Sequence, residues 1–350
     1  DFVSTTINDI LVGKDPSDQK SIDESLIKMD GTSNKSRLGA NSILSVSLAC
    51  AKSAAVSADL ELYQYLSLMY SGKQKLNGDL KFPTPVFNII NGGEHAKNKL
   101  SFQEFMVIPA LNTPYNKALQ MGATIYKDLK KILLKDDFET GIGDEGGFEP
   151  RGLSARTALD FLEQAASVQY SPGNDVFFGL DIAAGSFYEN GKYCIDEENL
   201  DLSSDEVIKY YEDLFMHYKI IYLEDPMFER DEFGWTKFYK QNAGKYMVVA
   251  DDLVVTNPKI LERVAKEKMA NAVIVKPNQV GTLTETLDFI KMARKSKMDI
   301  VISHRSGDNV DSFISDLAVA VDADFMKSGA PARGERVAKY NRLLEIFYGF

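Results

Sequence analysis

The sequence predicts an α/β protein: a closed (β/α)8-type barrel of parallel strands behind a smaller, helical N-terminal stretch. Three observations predict it. From about residue 82, short apolar runs with strand character are followed repeatedly by segments of helical periodicity, as in a parallel sheet with helices over its faces. Eight such runs over about 270 residues suit a closed barrel in number and length. The later runs also end in ionisable residues, and strand ends are where a barrel builds its functional mouth. An open doubly wound sheet is the competing architecture. No Gly-rich dinucleotide or phosphate loop follows any of the runs, which counts against it.

Taken in order, residues 1–72 read as helical. Ser17, after Pro16, has the chemistry of an N-cap, with Ile22, Leu26 and Met29 following at helical spacing and Asp30-Gly31 as the stop. A second helix runs from near Asn41 to Ala58. Its Ala and Ser content around Ile43, Leu44, Val46 and Leu48 suits close packing in a core. Ser71-Gly72-Lys73 through Gly78-Asp79 marks a surface linker, bounded at 73–81. The strand runs, all within the expected barrel domain 82–350, are Phe82–Ile90, Phe102–Pro109, Val176–Ile182, Ile220–Leu223, Tyr246–Ala250, Ala272–Val275, Asp299–Ser303 and Asp324–Met326.

Composition narrows the function. The chain has 350 residues, 44% of them hydrophobic, and a net charge of −11. That charge repels nucleic acid and anionic membranes. No apolar run approaches the roughly 20 residues that a membrane helix needs, and the opening lacks the pattern of a signal peptide. With only Cys50 and Cys194, no disulfide framework is expected. An acidic protein that takes an anionic substrate must gather its cations locally.

The strand ends do gather them. Asp181, Glu224 with Asp225, Asp251 with Asp252, Lys276, His304 with Arg305 and Ser306, and Lys327 each follow an apolar run. From Glu224 onward they stand 23 to 28 positions apart, about one strand-and-helix unit. A single Asp after a strand is usually a helix cap or turn residue. Capping does not explain acidic ends followed by basic ones on successive strands. The pattern puts three carboxylates on one side of a ring, and two lysines, a histidine and an arginine on the other. Carboxylate oxygens suit a hard cation such as Mg²⁺, three histidines in the chain make zinc a poor fit, and Arg305 could grip phosphate bidentately.

At this point the residues resemble a known family. Gly143-Asp144-Glu145-Gly146-Gly147, Ser303-His304-Arg305-Ser306-Gly307 and Ile274-Val275-Lys276-Pro277-Asn278-Gln279-Val280-Gly281 resemble enolase signatures. So do Asn91-Gly92-Gly93-Glu94-His95, Gln103-Glu104-Phe105-Met106, and Asp30-Gly31-Thr32 through Leu38-Gly39-Ala40-Asn41. The resemblance covers almost the whole chain and is strongest to bacterial or archaeal forms. It implies a cytoplasmic, Mg²⁺-dependent lyase that interconverts 2-phosphoglycerate and phosphoenolpyruvate in glycolysis and gluconeogenesis. It further implies a homodimer or larger assembly, a TIM barrel, and residues 1–72 as the helical remnant of an N-terminal α+β domain.

Carried over by position, Asp181, Glu224 and Asp251 match the ligands of a first Mg²⁺. Lys276 matches the general base at C2. Glu145 matches the general acid at the C3 hydroxyl, with Glu104 assisting and His304 beside them. His95, Gln103, Ser303, His304, Arg305, Ser306 and Lys327 match positions that contact or enclose substrate, as do Glu104, Glu224, Asp251 and Lys276. A lysine base must be neutral and a glutamic acid donor protonated. Mg²⁺ and Lys327 are expected to lower the pKa of Lys276, and Glu104 to raise that of Glu145.

The resemblance also implies a preceding segment with a Gly-Ala-Ser-Thr-Gly-like loop, whose serine helps hold a second Mg²⁺. With Asp1 first, the 350 residues read as a fragment. The alternative function is therefore a catalytically impaired scaffold or binding protein on the same fold. A racemase or cycloisomerase of the wider superfamily would show a Lys-x-Lys pair on an early strand, and the Gln103 strand has none. Smaller departures from the family pattern are Gly185-Ser186, Glu149, Asp308 and Ser328.

Overall fold

The computed structural model describes residues 2–349. The N-terminal part is helical: a π-helical turn at Val3–Ile7, then α1 (Asn8–Leu11), α2 (Gln19–Asp30), α3 (Ala40–Ser57) and α4 (Leu62–Ser71). The cap of α2 is Asp18, not Ser17. Ser17 is held by its own neighbour, its N–H and hydroxyl both donating 2.8 Å to Asp15 Oδ1, which leaves Asp18 to accept from the Ser21 N–H at 3.2 Å. Gly31, at φ 67°, ends the helix as expected. Ile7, Ile22, Leu26, Leu38 and Ile43 form a small core of their own.

Polar ties fix this unit to the barrel. Asp23 accepts from the N–H and hydroxyl of Thr284 at 2.9 and 2.6 Å, Ser47 accepts from the Leu283 N–H at 3.0 Å, and Lys35 pairs with Glu285 at 3.0 Å. No single helix among the described residues is long and apolar enough to cross a membrane.

The barrel begins with β1 (Thr84–Asn91) and β2 (Glu104–Pro109), followed by α5 (Tyr115–Lys135) and α6 (Ala155–Ser167). After β3 (Val176–Asp181) comes a three-stranded antiparallel sheet of β4 (Tyr188–Glu189), β5 (Lys192–Ile195) and β6 (Leu200–Leu202). Strand and helix then alternate: α7 (Ser204–Phe215), β7 (Ile220–Glu224), α8 (Glu232–Asn242), β8 (Met247–Ala250), α9 (Pro258–Glu267) and β9 (Ala272–Val275). A single turn, α10 (Pro277–Val280), precedes α11 (Leu283–Lys295), β10 (Asp299–Ser303), α12 (Phe313–Ala320), β11 (Phe325–Lys327) and α13 (Gly334–Tyr348).

The ring closes in the order β1-β11-β10-β9-β8-β7-β3-β2. One strand departs from the expected parallel sheet: β2 runs antiparallel to both β1 and β3. The β1–β2 connection holds only a single turn at Gly93–His95 and no crossover helix, the second strand reverses, and two helices follow it instead of one.

Side chains alternate across each strand. Val86, Met106, Ile108, Tyr222, Val249, Ala272, Ile274, Val301 and Phe325 fill the barrel interior. Their neighbours Phe87, Phe105, Val107, Leu223, Val248, Val273, Ile300, Ile302 and Met326 face the helices in the larger core. Each fully buried aliphatic or aromatic side chain contributes about 1.5–3 kcal/mol relative to exposure.

Candidate active site

The same alternation selects the side chains that enter the mouth. Ala272 and Ile274 point inward, so one further step brings Lys276 inside. By the same parity Phe325 leads to Lys327, Tyr222 to Glu224 and Val249 to Asp251. Along β2, Ile108 and Met106 lead back to Glu104. Because β2 is reversed, its first residue lies at the mouth: Asn91 pairs with Glu104, Glu104 with Asp181, and Asp181 with Glu224.

The ring order separates charge. Glu104, Asp181, Glu224 and Asp251 stand on or just beyond the contiguous strands β2, β3, β7 and β8, while Lys276, His304 with Arg305, and Lys327 stand at β9, β10 and β11. Lys327 is 3% exposed and crosses the mouth. Its ammonium donates at 2.9 Å to Asp181 Oδ2 and to both oxygens of Glu224, and lies 3.1 Å from Glu104 Oε1. Burial would lower its pKa, but Asp181, Glu104 and Glu224 outweigh that and raise it well above the usual lysine range. Opposite, burial and the Asp181 charge push Glu224 well up despite Lys327. Tyr222 donates to Glu224 Oε2 at 2.6 Å, and Gln103 donates to Asp181 Oδ2 at 3.3 Å.

Lys276 pairs with Asp251 Oδ2. Burial lowers its pKa, Asp251 raises it, and the balance is upward. Asp251 is placed by a residue that the sequence marked only as a neighbour. Buried Asp225 accepts the N–H groups of Asp251 and Asp252 at 3.0 and 2.6 Å, which fixes the turn after β8. Thr256 likewise receives the Lys276 N–H at 3.1 Å and donates to Gln279 at 2.7 Å.

Glu145 reaches the site on the loop after α5, which is stitched to β1 by Phe148 N–H to Ile89 O at 2.9 Å and Asn91 N–H to Phe148 O at 2.8 Å. Two glycines permit that approach. A Cβ on Gly147 would sit 2.5 Å from Asn91 Oδ1, and one on Gly143 2.5 Å from the His95 carbonyl. Asn88 donates to Glu145 Oε2 at 3.1 Å, His304 Nε2 lies 3.3 Å from the same oxygen, and His95 Nδ1 lies 3.5 Å from Glu104 and 3.8 Å from Glu145.

The proton in this cluster falls on an unexpected carboxyl. Burial, then the Glu145 charge, push Glu104 up to about 7. Burial would raise Glu145 too, but His304, His95 and Lys327 hold it well below the ordinary carboxylate range. Burial lowers His95, yet Glu104, Glu145 and Asp181 bring it up to about 9. In this cluster Glu104, and not Glu145, is therefore the raised carboxyl.

Ser303 is buried, and its hydroxyl donates 3.0 Å to the His304 carbonyl. Arg305 and Ser306 lie exposed on the rim, with Arg305 donating to Asn278 at 3.2 Å. Asn88 and Asp225 could have been found from strand parity and from the Glu-Asp-Pro run. Buried Arg336, on α13, has no such signal; it donates to the Asp144, Arg305 and Ser306 carbonyls at 3.0, 2.6 and 2.5 Å.

By chemistry the donor set suits a hard divalent cation, which would have to displace Lys327 and Lys276 from Asp181, Glu224 and Asp251. Asp181, Glu224 and Asp251 offer carboxylate oxygens from three adjacent strands, and Asp251 Oδ1 and Glu104 Oε2 are buried without a hydrogen-bond partner. Ligand atoms of His95, Glu104 and Glu145 lie within 4.8 Å of one another, as do those of Asp225, Asp251 and Asp252. In the second set both Asp225 oxygens are already engaged by backbone.

A barrel whose mouth sets buried carboxylates against buried Lys327 and half-buried Lys276 has the groups that acid–base chemistry uses. Residues 79–348 match the family described as enolase, C-terminal TIM barrel domain, and residues 1–66 match the enolase N-terminal domain. The chain belongs to the enolase family.

Proposed function

We propose that this protein is an enolase in activity as well as in family: a Mg²⁺-dependent hydro-lyase that reversibly dehydrates 2-phosphoglycerate to phosphoenolpyruvate. The observation that carries the reading is the placement of base and acid. In the eight-membered ring β9 and β2 are diametrically opposed, so Lys276 faces the Glu104–Glu145 pair across the mouth. Dehydration needs that arrangement, with one group removing a proton from carbon while another protonates the departing hydroxyl.

Asp181, Glu224 and Asp251 would hold the cation, whose charge makes a proton beside a carboxylate acidic enough to remove. Lys276 takes the C2 proton at Nζ. To do so it must lose its own proton, which Asp251 favours keeping until that carboxylate is engaged elsewhere. Glu145 delivers a proton to the C3 oxygen, and Glu104, which holds its proton near neutrality, is the group placed to resupply it. Lys327, Gln103 and His95 line the substrate space, Ser303 and His304 close its floor, and Arg305 and Ser306 offer the phosphate a cation and a hydroxyl at the rim.

The same proposal takes residues 1–72 as belonging to the N-terminal domain, 73–81 as a linker and 82–350 as the catalytic domain. It also takes the protein to be cytoplasmic and a homodimer or larger, and to bind no nucleic acid. The test is ultraviolet detection of phosphoenolpyruvate from 2-phosphoglycerate and Mg²⁺ by the natural polypeptide carrying these 350 residues. Turnover abolished by chelator and by Lys276→Ala is expected. Absence of turnover in the folded, Mg²⁺-binding protein would overturn the reading.

A further inference from the structure

Arg336 stands behind the site rather than in it. It is 1% exposed, and its guanidinium reaches the His304 ring as well as three carbonyls. Nη1 lies 2.5 Å from His304 Nδ1 and donates to Arg305 O, while Nη2 donates to Asp144 O and Ser306 O. One planar group thus ties the loop after β10 to the loop that carries Glu145.

A guanidinium has donors only and keeps its charge at any relevant pH. Its approach to Nδ1 therefore requires that nitrogen to be the acceptor. The imidazole proton must then reside on Nε2, which faces Glu145 Oε2 at 3.3 Å.

We propose that Arg336 is a positioning residue that fixes His304 as the neutral, Nε2-protonated tautomer and so presents an N–H, not a lone pair, on the side of Glu145, whose Oε2 lies 3.3 Å away outside hydrogen-bond alignment. His304 then acts as a fixed dipole. It cannot pass on its Nε2 proton by gaining another at Nδ1, because that nitrogen is occupied. The proton delivered through Glu145 therefore does not come from His304, which leaves Glu104 and His95, both beside Glu145, to supply it. The catalytic meaning of this rests on the dehydration proposed above; the tautomer itself does not.

The experiment is long-range ¹H–¹⁵N correlation spectroscopy on histidine-labelled protein at pH 7 without added metal. Three histidines in the chain keep the spectrum simple, and His304→Gln identifies the His304 signals by their loss. A proton on Nε2 and a bare Nδ1 are expected. A proton on Nδ1, or on both nitrogens, overturns the proposal. In Arg336→Met the bare-Nδ1 pattern is expected to give way to mixed tautomers or an imidazolium, and its persistence in the folded variant overturns the assignment to Arg336. Should Arg336→Met fail to fold, Arg336→Lys keeps a cation without the fork. Mixing of tautomers is expected there too, and an undisturbed Nε2 tautomer overturns the assignment. These readouts need no turnover, so a protein that shows the tautomer but makes no phosphoenolpyruvate would refute only the proposed activity.

Discussion

Lys327→Met should be the most destabilising conservative change in the barrel mouth. The ammonium touches three carboxylates whose side chains are 1%, 4% and 0% exposed, at 3.1, 2.9 and 2.9 Å. Methionine fills nearly the same volume, so the cost is electrostatic rather than a cavity. Removing one partner of a buried ion pair costs about 3–5 kcal/mol. With three carboxylates orphaned, the upper end applies, and for a slope of about 3 kcal/mol per molar urea the midpoint falls by about 1–2 M.

The pH dependence has a definite sign. Burial and neighbouring carboxylates already raise Glu224 and Glu104, and losing the ammonium raises them further. Above the ordinary carboxylate range the folded variant then binds more protons than its unfolded chain, so its stability rises as pH falls. Urea unfolding with chelator present, at pH 8 and pH 5, should show a deficit that shrinks at pH 5. A midpoint unchanged from the parent, or a deficit equal at both pH values, would refute the reasoning.

Three further outcomes are expected. Gly122→Ala gains about 1 kcal/mol of helix propensity, but its Cβ would sit 2.4 Å from the Phe87 ring. Overpacking costs about 1–3 kcal/mol, so a net loss of stability with normal activity per folded molecule is expected, and a gain would contradict the packing. His95 should titrate near pH 9 by NMR. Its contribution to stability is complete below the ordinary histidine value of 6.5 and is lost as pH rises through about 9; titration near 6.5 would show that Glu104 does not hold it. Asp225→Asn replaces an oxygen that accepts a backbone N–H with an amide that can repel it. Mg²⁺ affinity, read by calorimetry, should fall roughly 10–100-fold as for other groups that orient a metal ligand; unchanged affinity would remove Asp225 from that role.

Much of the barrel was legible because its signal is local. Each strand is a short apolar run, and Glu224, Lys276 and Lys327 declare the mouth by following one at a constant parity. What escaped the sequence is decided by geometry between segments. The reversal of β2 is set by its pairing with β1 and β3, strands distant in sequence from each other. The sheet Tyr188–Leu202 has strands of only two to four residues, too short to show alternation. Ser17 lost the cap of α2 to Asp18 because Asp15 engages it first. The partner of His304 lies 32 positions away on a terminal helix, where an arginine among charged residues gives no sign of burial. The raised carboxyl, Glu104, emerged only from the balance of His304, His95 and Lys327 around Glu145.

The central claim is that Lys276 and the Glu104–Glu145 pair act from opposite sides on one substrate. It is tested most directly by hydrogen exchange at C2 of 2-phosphoglycerate in D₂O with Mg²⁺, run alongside phosphoenolpyruvate formation. Glu145→Gln should still exchange the C2 proton while failing to dehydrate, because the base is intact and the acid is gone. Lys276→Ala should do neither. Exchange that survives in Lys276→Ala, or vanishes in a folded Glu145→Gln that still binds substrate, would contradict the assignment of base and acid.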